Sequence, residues 1–245
     1  VPDRVSLEVH PVLDSTNTMA RSRATDNADG WTVVQAIEQC SGRGRLARTW
    51  HSPPGNLYTS TILRPERPTR DWPQLSFVTA VAVADMACLI APAASITLKW
   101  PNDVLADGRK ISGILLETVL GATERAVIIG VGVNIASYPD GTRYGASSLN
   151  ELTSSEWPID IVRAHYLRAL ARWYDIWSAH GFEQIRAAWL QKAHGLGLEV
   201  SVTNDDAPEV RGRFTGIGED GRMLIETGNG AVEFISSGSI TFLAT

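Results

Sequence analysis

Apolar residues recur every three or four positions from Ile159 through Val162, Tyr166, Leu170 and Trp173 to Trp177. That spacing predicts an amphipathic helix of about twenty residues, stopped by Gly181, with its aromatic stripe turned into a core. Residues 75–90 are apolar on nearly every side, as a helix covered by a sheet would be. The longest apolar stretch, 78–90, is interrupted by Thr79 and Asp85 and falls short of the ~18 apolar residues of a membrane span. Asp14 or Ser15 caps a shorter helix running to about Thr25, and another helix is expected over 182–193. Strands are predicted at 31–39, 56–63, 96–100, 111–120 and 127–135, the last apolar throughout like a buried central strand. Pro65 and Pro68 mark 64–72 as a connection, Pro101 ends 96–100 for want of a backbone donor, and Asp107-Gly108 predicts a hairpin turn. Beyond Gly195 the texture changes. Short strands at 198–202, 209–216, 223–227, 231–235 and 239–243 alternate with turn clusters at 204–206, 219–221 and 228–230. The expected fold is therefore α+β, a mixed sheet with helices largely on one face over 1–194, then a small β-barrel over 195–245. The pattern alone does not order the strands.

Composition supports a large domain plus a small one, with 44% hydrophobic residues in a chain of 245. A net charge of −5 without a basic stripe argues against specific DNA binding. No basic-then-apolar leader opens the chain. Cys40, at a strand end, and Cys88, in a helix, read as reduced core or lining thiols, which gives the cytoplasm as the expected compartment. The five histidines show no metal-ligand spacing.

Against that acidic balance, the run Ser41-Gly42-Arg43-Gly44-Arg45-Leu46-Ala47-Arg48-Thr49-Trp50 concentrates positive charge. Taken alone it reads first as a solvated turn. As a site, its glycines let backbone approach a ligand and its guanidinium forks suit carboxylate or phosphate. It is not a Walker loop, which needs Lys-Ser/Thr after its second glycine, and Gly130-Val131-Gly132 lacks the third glycine of a dinucleotide fingerprint. Gly130 and Gly132 imply either a ligand or another backbone close by. Lys99-Trp100-Pro101-Asn102-Asp103 and Lys110-Ile111-Ser112-Gly113-Ile114-Leu115 add a polar turn and a lysine at a strand mouth.

Five blocks stand in the order and spacing of biotin protein ligases. They are Asp14-Ser15-Thr16-Asn17; Gln39 with Gly42-Arg43-Gly44-Arg45 and Trp50; Lys99 to Asp103; Lys110-x-x-Gly113-Ile114-Leu115-x-Glu117; and Gly130-x-Gly132-x-Asn134. The chain resembles that family from about residue 10 to its end. The resemblance implies a catalytic domain of the biotin/lipoate ligase type, akin to class II aminoacyl-tRNA synthetases, with a C-terminal SH3-like β-barrel. It implies a ligase that joins biotin to ATP as biotinyl-5′-AMP and passes the biotinyl group to a lysine of a biotin carboxyl carrier domain, with Mg²⁺ as cofactor. Lys110 and Arg45 are the implied catalytic residues. Biotin contacts fall to Ser15, Thr16, Asn17, Gln39, Gly42, Arg43, Gly44, Arg45, Lys110, Gly113 and Gly130. Contacts to ATP or the adenylate fall to Arg43, Arg45, Arg48, Trp50, Asn102, Asp103, Lys110 and Asn134, with Asp103 as the metal ligand. Gly113 and Gly130 would leave room for the ring and valeryl chain, and Trp50 would either stack on adenine or pin the loop.

The family loop usually carries glycine where this chain has Ala47, which takes positive φ less readily, so this tip is expected to close differently. Only thirteen residues precede Asp14, which gives the monofunctional type without an N-terminal DNA-binding domain as the expectation. Neither DNA nor a membrane is an expected partner, and the oligomeric state is left open. The alternatives are a lipoate or octanoate ligase of the same superfamily and a non-catalytic biotin-binding regulator.

Overall fold

The computed structural model describes residues 3–46, 48–121, 125–141, 145–204 and 207–243. The larger sheet comprises β1 (Ser6–Leu13), β2 (Thr32–Gln39), β3 (Leu57–Leu63), β4 (Ile96–Lys99), β5 (Asp103–Ala106), β6 (Arg109–Leu120) and β7 (Arg125–Val133). Its helices are α1 (Thr16–Thr25), α2 (Leu75–Ile90), preceded by a 3₁₀ turn at Thr69–Gln74, α3 (Leu149–Thr153), α4 (Ile159–His180) and α5 (Glu183–Gln191). A second sheet holds β8 (Glu199–Asn204), β9 (Ala207–Ile217), β10 (Met223–Glu226), β11 (Val232–Ile235) and β12 (Ser239–Phe242).

The strand order is β1-β2-β3-β7-β6-β5-β4, with β1 and β2 parallel and every other neighbouring pair antiparallel. The sheet is thus mixed, as expected. Asp107 and Gly108 both have positive φ, 49° and 75°, the requirement of the two-residue turn that joins β5 to β6. The small sheet runs β11-β10-β9-β8-β12, antiparallel throughout, with β11 and β12 on its open edges.

Three elements escaped the sequence reading, one of them β5, whose first residues were read as a polar turn. β1 is an edge strand with a half-exposed burial pattern and Pro11 within it, so it shows no clean alternation. α3 is one turn long, yet it carries a capping signature, Ser148-x-x-Glu151, whose hydroxyl accepts from the Glu151 N–H at 3.3 Å.

Strand alternation splits the molecule into two environments. On one face, Leu57, Leu63, Ile129 and Val133 pack with α2 and with Val162, Tyr166, Leu170 and Trp177 of α4, all buried in one continuous core. The stretch Thr69–Ile90 does contain an 18-residue window apolar enough to cross a bilayer, but 72% of it is buried inside the protein, as a core helix would be. On the other face, α1 covers a smaller cluster of Ala20, Ala24, Val34, Ile62 and Ile128. The rest of that face is open. The chain leaves the large sheet along its β4 edge, where the Leu98 N–H donates to Lys192 O at 2.7 Å and the His194 N–H donates to Leu98 O at 2.8 Å. That docking brings the small sheet alongside the open face. Cys40 and Cys88 are both free; Cys40 is exposed and lies outside the core.

Candidate active site

The open face holds a cavity of about 480 Å³. Every candidate residue named from the sequence except Gly42 reaches its wall. A Cβ on Gly42 would collide with Trp50 O and Ser52 Oγ, so Gly42 lets the loop cross itself and is not a lining group.

The floor follows from register. Gly113 pairs with Gly132, and Gly130 lies between Leu115 and Ser60, which places three side-chain-free positions on one face of adjacent strands. The expectation that Gly113 and Gly130 leave open space is corrected here, because protein side chains already fill the gaps. The Trp50 indole lies over Gly132 and Gly113, where a Cβ on Gly132 would sit 2.5 Å from its ring atoms. Asn17 fills the notch at Gly130. Trp50 therefore holds the end of the loop against the sheet.

A hydrogen-bond chain orients the polar end. Ser52 Oγ donates to Trp50 O and accepts from Gln39 Nε2, both at 2.9 Å. Gln39 Oε1 in turn accepts from the Thr16 N–H at 2.8 Å. Ser60 Oγ lies 2.7 Å from Thr16 Oγ1 and donates to Asn17 Oδ1 at 2.6 Å. Ser60 thus fixes which way the Asn17 amide faces. Its Nδ2 is left buried without a partner, as is Trp50 Nε1. Unpaired buried donors are costly, and two of them on one wall suit a ligand that carries acceptors.

The charged end depends on a bulge. Val104 pairs with Ser112, but Leu105 pairs with Lys110, so Ile111 is the extra residue in β6. The shift turns Lys110 onto the face of Asp103 and Gly113. Lys110 Nζ lies 2.6 Å from Asp103 Oδ1 and 5.2 Å from the centre of the Trp50 ring. Burial pulls the Arg45 guanidinium below its ordinary value; Asp103 opposes this and Arg48 adds to it. Arg45 is thus a partly desolvated cation. The wall carries five cationic side chains, Arg43, Arg45, Arg48, Lys99 and Lys110, against one carboxylate, Asp103. In a protein of net charge −5, that excess selects an anionic ligand.

Several candidates are already engaged. Arg43 reaches Glu117 Oε1 at 3.3 Å and Thr18 Oγ1 at 3.3 Å. Asn102 Nδ2 donates to Ile114 O at 2.7 Å, and Asn134 Nδ2 donates to Ser147 O at 3.1 Å. Both amides hold the backbone that shapes the wall, leaving their oxygens for other partners. At the loop tip the positive φ falls on Leu46, at 54°, and Ala47 lies outside the described residues. No cluster of three or more His, Cys, Asp or Glu able to hold a metal occurs among the described residues. A Mg²⁺ ion commonly binds through one or two carboxylates plus substrate phosphates, and the single carboxylate of Asp103 fits that pattern.

The sequence reading missed Ser60 and Ser52, whose roles depend on strand pairing, and did not place Gly132 in the site. It also missed Gly238, Ser239 and Ile240, which line the cavity from the small sheet. Nothing in their local sequence marks them.

A cleft with a glycine floor covered by Trp50 and Asn17, unpaired N–H donors on one wall and clustered cations at one end defines a protein that brings a neutral polar group and an anion together. The profile of the biotin/lipoate A/B protein ligase family matches residues 9–134, that of the biotin protein ligase C-terminal domain matches 195–243, and the chain belongs to this family. It is 38% identical over 242 residues to the bifunctional ligase/repressor BirA of Bacillus subtilis, covering 93% of this chain and 71% of that protein. It is also 38% identical over 222 residues to the biotin–[acetyl-CoA-carboxylase] ligase of Paracoccus denitrificans, covering 86% and 90%. The structure of the Aquifex aeolicus biotin protein ligase in complex with biotin and ATP superposes with a TM-score of 0.85 at 28% identity, covering 97% and 99%.

Proposed function

We propose that this chain is a biotin protein ligase that activates biotin with ATP and transfers the biotinyl group to a lysine of a biotin carboxyl carrier domain. The cavity carries this reading, with the unpaired Asn17 amide at one end and cations at the other. In this reading Asn17 Nδ2, buried without a partner, serves the ureido oxygen of biotin, and Ser15, Thr16 and Gln39 complete that end. The valeryl carboxylate then points towards Lys110 and Arg45.

In the first step a carboxylate oxygen of biotin attacks the α-phosphorus of ATP and pyrophosphate leaves, so two anions must approach each other. Lys110 and Arg45 place positive charge where negative charge grows in the transition state, and Arg43 and Arg48 extend that field over the phosphates. The carboxylate is already ionised at neutral pH and needs no base. Asp103 holds Lys110 in place and is the residue that would share a nucleotide-borne Mg²⁺, whose chemistry is to neutralise phosphate charge. In the second step the acceptor lysine attacks the acyl carbon of the adenylate and AMP leaves. Residues 1–194 serve as the catalytic unit and 195–245 as an appended one in this reading. We place the reaction in the cytoplasm, with neither DNA nor a membrane as partner, on the acidic balance and the free thiols.

The test is to incubate the chain with biotin, ATP and an apo carrier domain and weigh the carrier. A mass gain of one biotinyl group that requires both biotin and ATP supports the reading. An unmodified carrier together with no biotin-dependent pyrophosphate release rejects it.

A further inference from the structure

We propose that Ser239, the first residue of β12, is a positioning residue that latches the arginine loop over the cavity by accepting a hydrogen bond from Arg48. The contact is geometric, and its consequence for the adenylate rests on the biotin-ligase reading. Arg48 Nη2 donates to Ser239 Oγ at 2.8 Å, joining residues 191 positions apart. A cation donating to a hydroxyl makes a charge-assisted hydrogen bond, stronger than a neutral one.

The post is firm. Ser239 pairs with Thr203 in the β8–β12 ladder. The small sheet is fastened to the rest of the chain by Trp100 Nε1 donating to Gly221 O at 3.0 Å, Arg186 Nε of α5 donating to Ile217 O at 2.6 Å, and Phe242 edge-on to His194 at 4.9 Å. The loop by itself has little to hold it. Among the described residues its own backbone bonds are Gly44 N–H to Arg48 O, Arg48 N–H to Arg45 O and Trp50 N–H to Gly42 O. Arg43 ties the start of the loop to Glu117, Trp50 anchors its end on the large sheet, and Arg48, between them, ties it to a different sheet.

A guanidinium has five N–H donors in a fixed fork. One spent on Ser239 fixes the plane of the Arg48 fork and leaves the others for phosphate oxygens. Ser239 therefore aims an arginine at the ligand and holds the lid shut. A bound adenylate escapes only when that contact opens.

The test uses Ser239→Ala, Ser239→Thr, Arg48→Ala and the double variant in the full chain. Loss of a hydrogen bond to a charged group corresponds to at least about tenfold faster escape of biotinyl-5′-AMP from Ser239→Ala, read by chase with unlabelled ligand. Ser239→Thr keeps the hydroxyl and should restore the wild-type rate. The double variant should escape no faster than Arg48→Ala alone. A second readout needs no turnover: trypsin, which cuts after Arg43, Arg45 and Arg48, should nick the loop of Ser239→Ala faster than that of wild type or Ser239→Thr. Equal nicking of Ser239→Ala and wild type, or escape rates whose effects simply add in the double variant, overturns the latch. If the wild type releases no biotin-dependent pyrophosphate, the ligase reading falls and the trypsin comparison alone decides the latch.

Discussion

The two faces of the large sheet are cut from the same strands and have opposite characters. Towards α2 and α4, β3 and β7 present Leu57, Leu63, Ile129 and Val133, all fully buried. Towards the cavity the same strands present Ser60, Gly130 and Gly132, and β6 adds Gly113. A two-residue period lets one stretch of chain carry a stability face and a ligand face that share only backbone. Substitutions on the first should register in unfolding, and substitutions on the second in binding and rate.

The sharpest test of that division is Lys110→Ala, which should lower adenylate formation by roughly 10²–10³ with little change in melting temperature. Pyrophosphate release and a thermal melt, run together, check it. A large fall in melting temperature would mean that the Lys110–Asp103 pair belongs to the stability face.

On the core side, Ile129→Ala should cost about 2–5 kcal/mol of stability while KM for biotin and ATP stays put. Its neighbour Gly130→Ala reverses the pattern. The new methyl would collide with Asn17 Oδ1 and break its bond to Ser60, so biotin affinity should fall about tenfold with a small change in the melt. Denaturant titration and biotin calorimetry on both variants decide whether the faces are separable. A Gly130→Ala protein with wild-type affinity would show that the glycine floor is packing alone.

A smaller effect is expected at Leu46, exposed and held at a φ of 54° that costs a side chain roughly 1–2 kcal/mol. Leu46→Gly relieves this but frees the open loop, so adenylate escape should slow only a few-fold. An unchanged escape rate would show that the strain is not released when the loop opens.

The smallest lies at the seam between the sheets. Burial first, and Lys99 second, lower the pKa of His194, which also faces Thr97 and Phe242. The unfolded chain therefore takes up the proton first as pH drops. The stabilising contribution is complete above the unfolded value of about 6.5 and is lost as pH falls through the folded value. His194→Gln should flatten the slope of stability against pH between 7 and 5. An identical slope would assign the acid sensitivity elsewhere.

How much was legible follows how local the cause is. α2 shows in the sequence because residues 75–90 are apolar on nearly every side, and the Asp107-Gly108 turn because its dipeptide demands positive φ. β1 was hidden because an edge strand buries too little to impose alternation. The candidate site was legible as blocks of residue types, and all but Gly42 of the named set reach the cavity. What Gly113 and Gly130 do was misread, since the void that a glycine leaves is filled from elsewhere in the chain.

By itself, the sequence determined the periods of its helices and strands, the sites of its turns and the chemical types in its arginine, lysine and glycine blocks. These depend on backbone conformation and side-chain identity within a few residues. Only the tertiary structure decided that Gly113 faces Gly132, that the bulge at Ile111 turns Lys110 towards Asp103, and that Ser239 of the distant small sheet meets Arg48. Those relations come from strand register and from one sheet docking on another, which are set by packing over the whole chain and leave no mark on any local stretch of it.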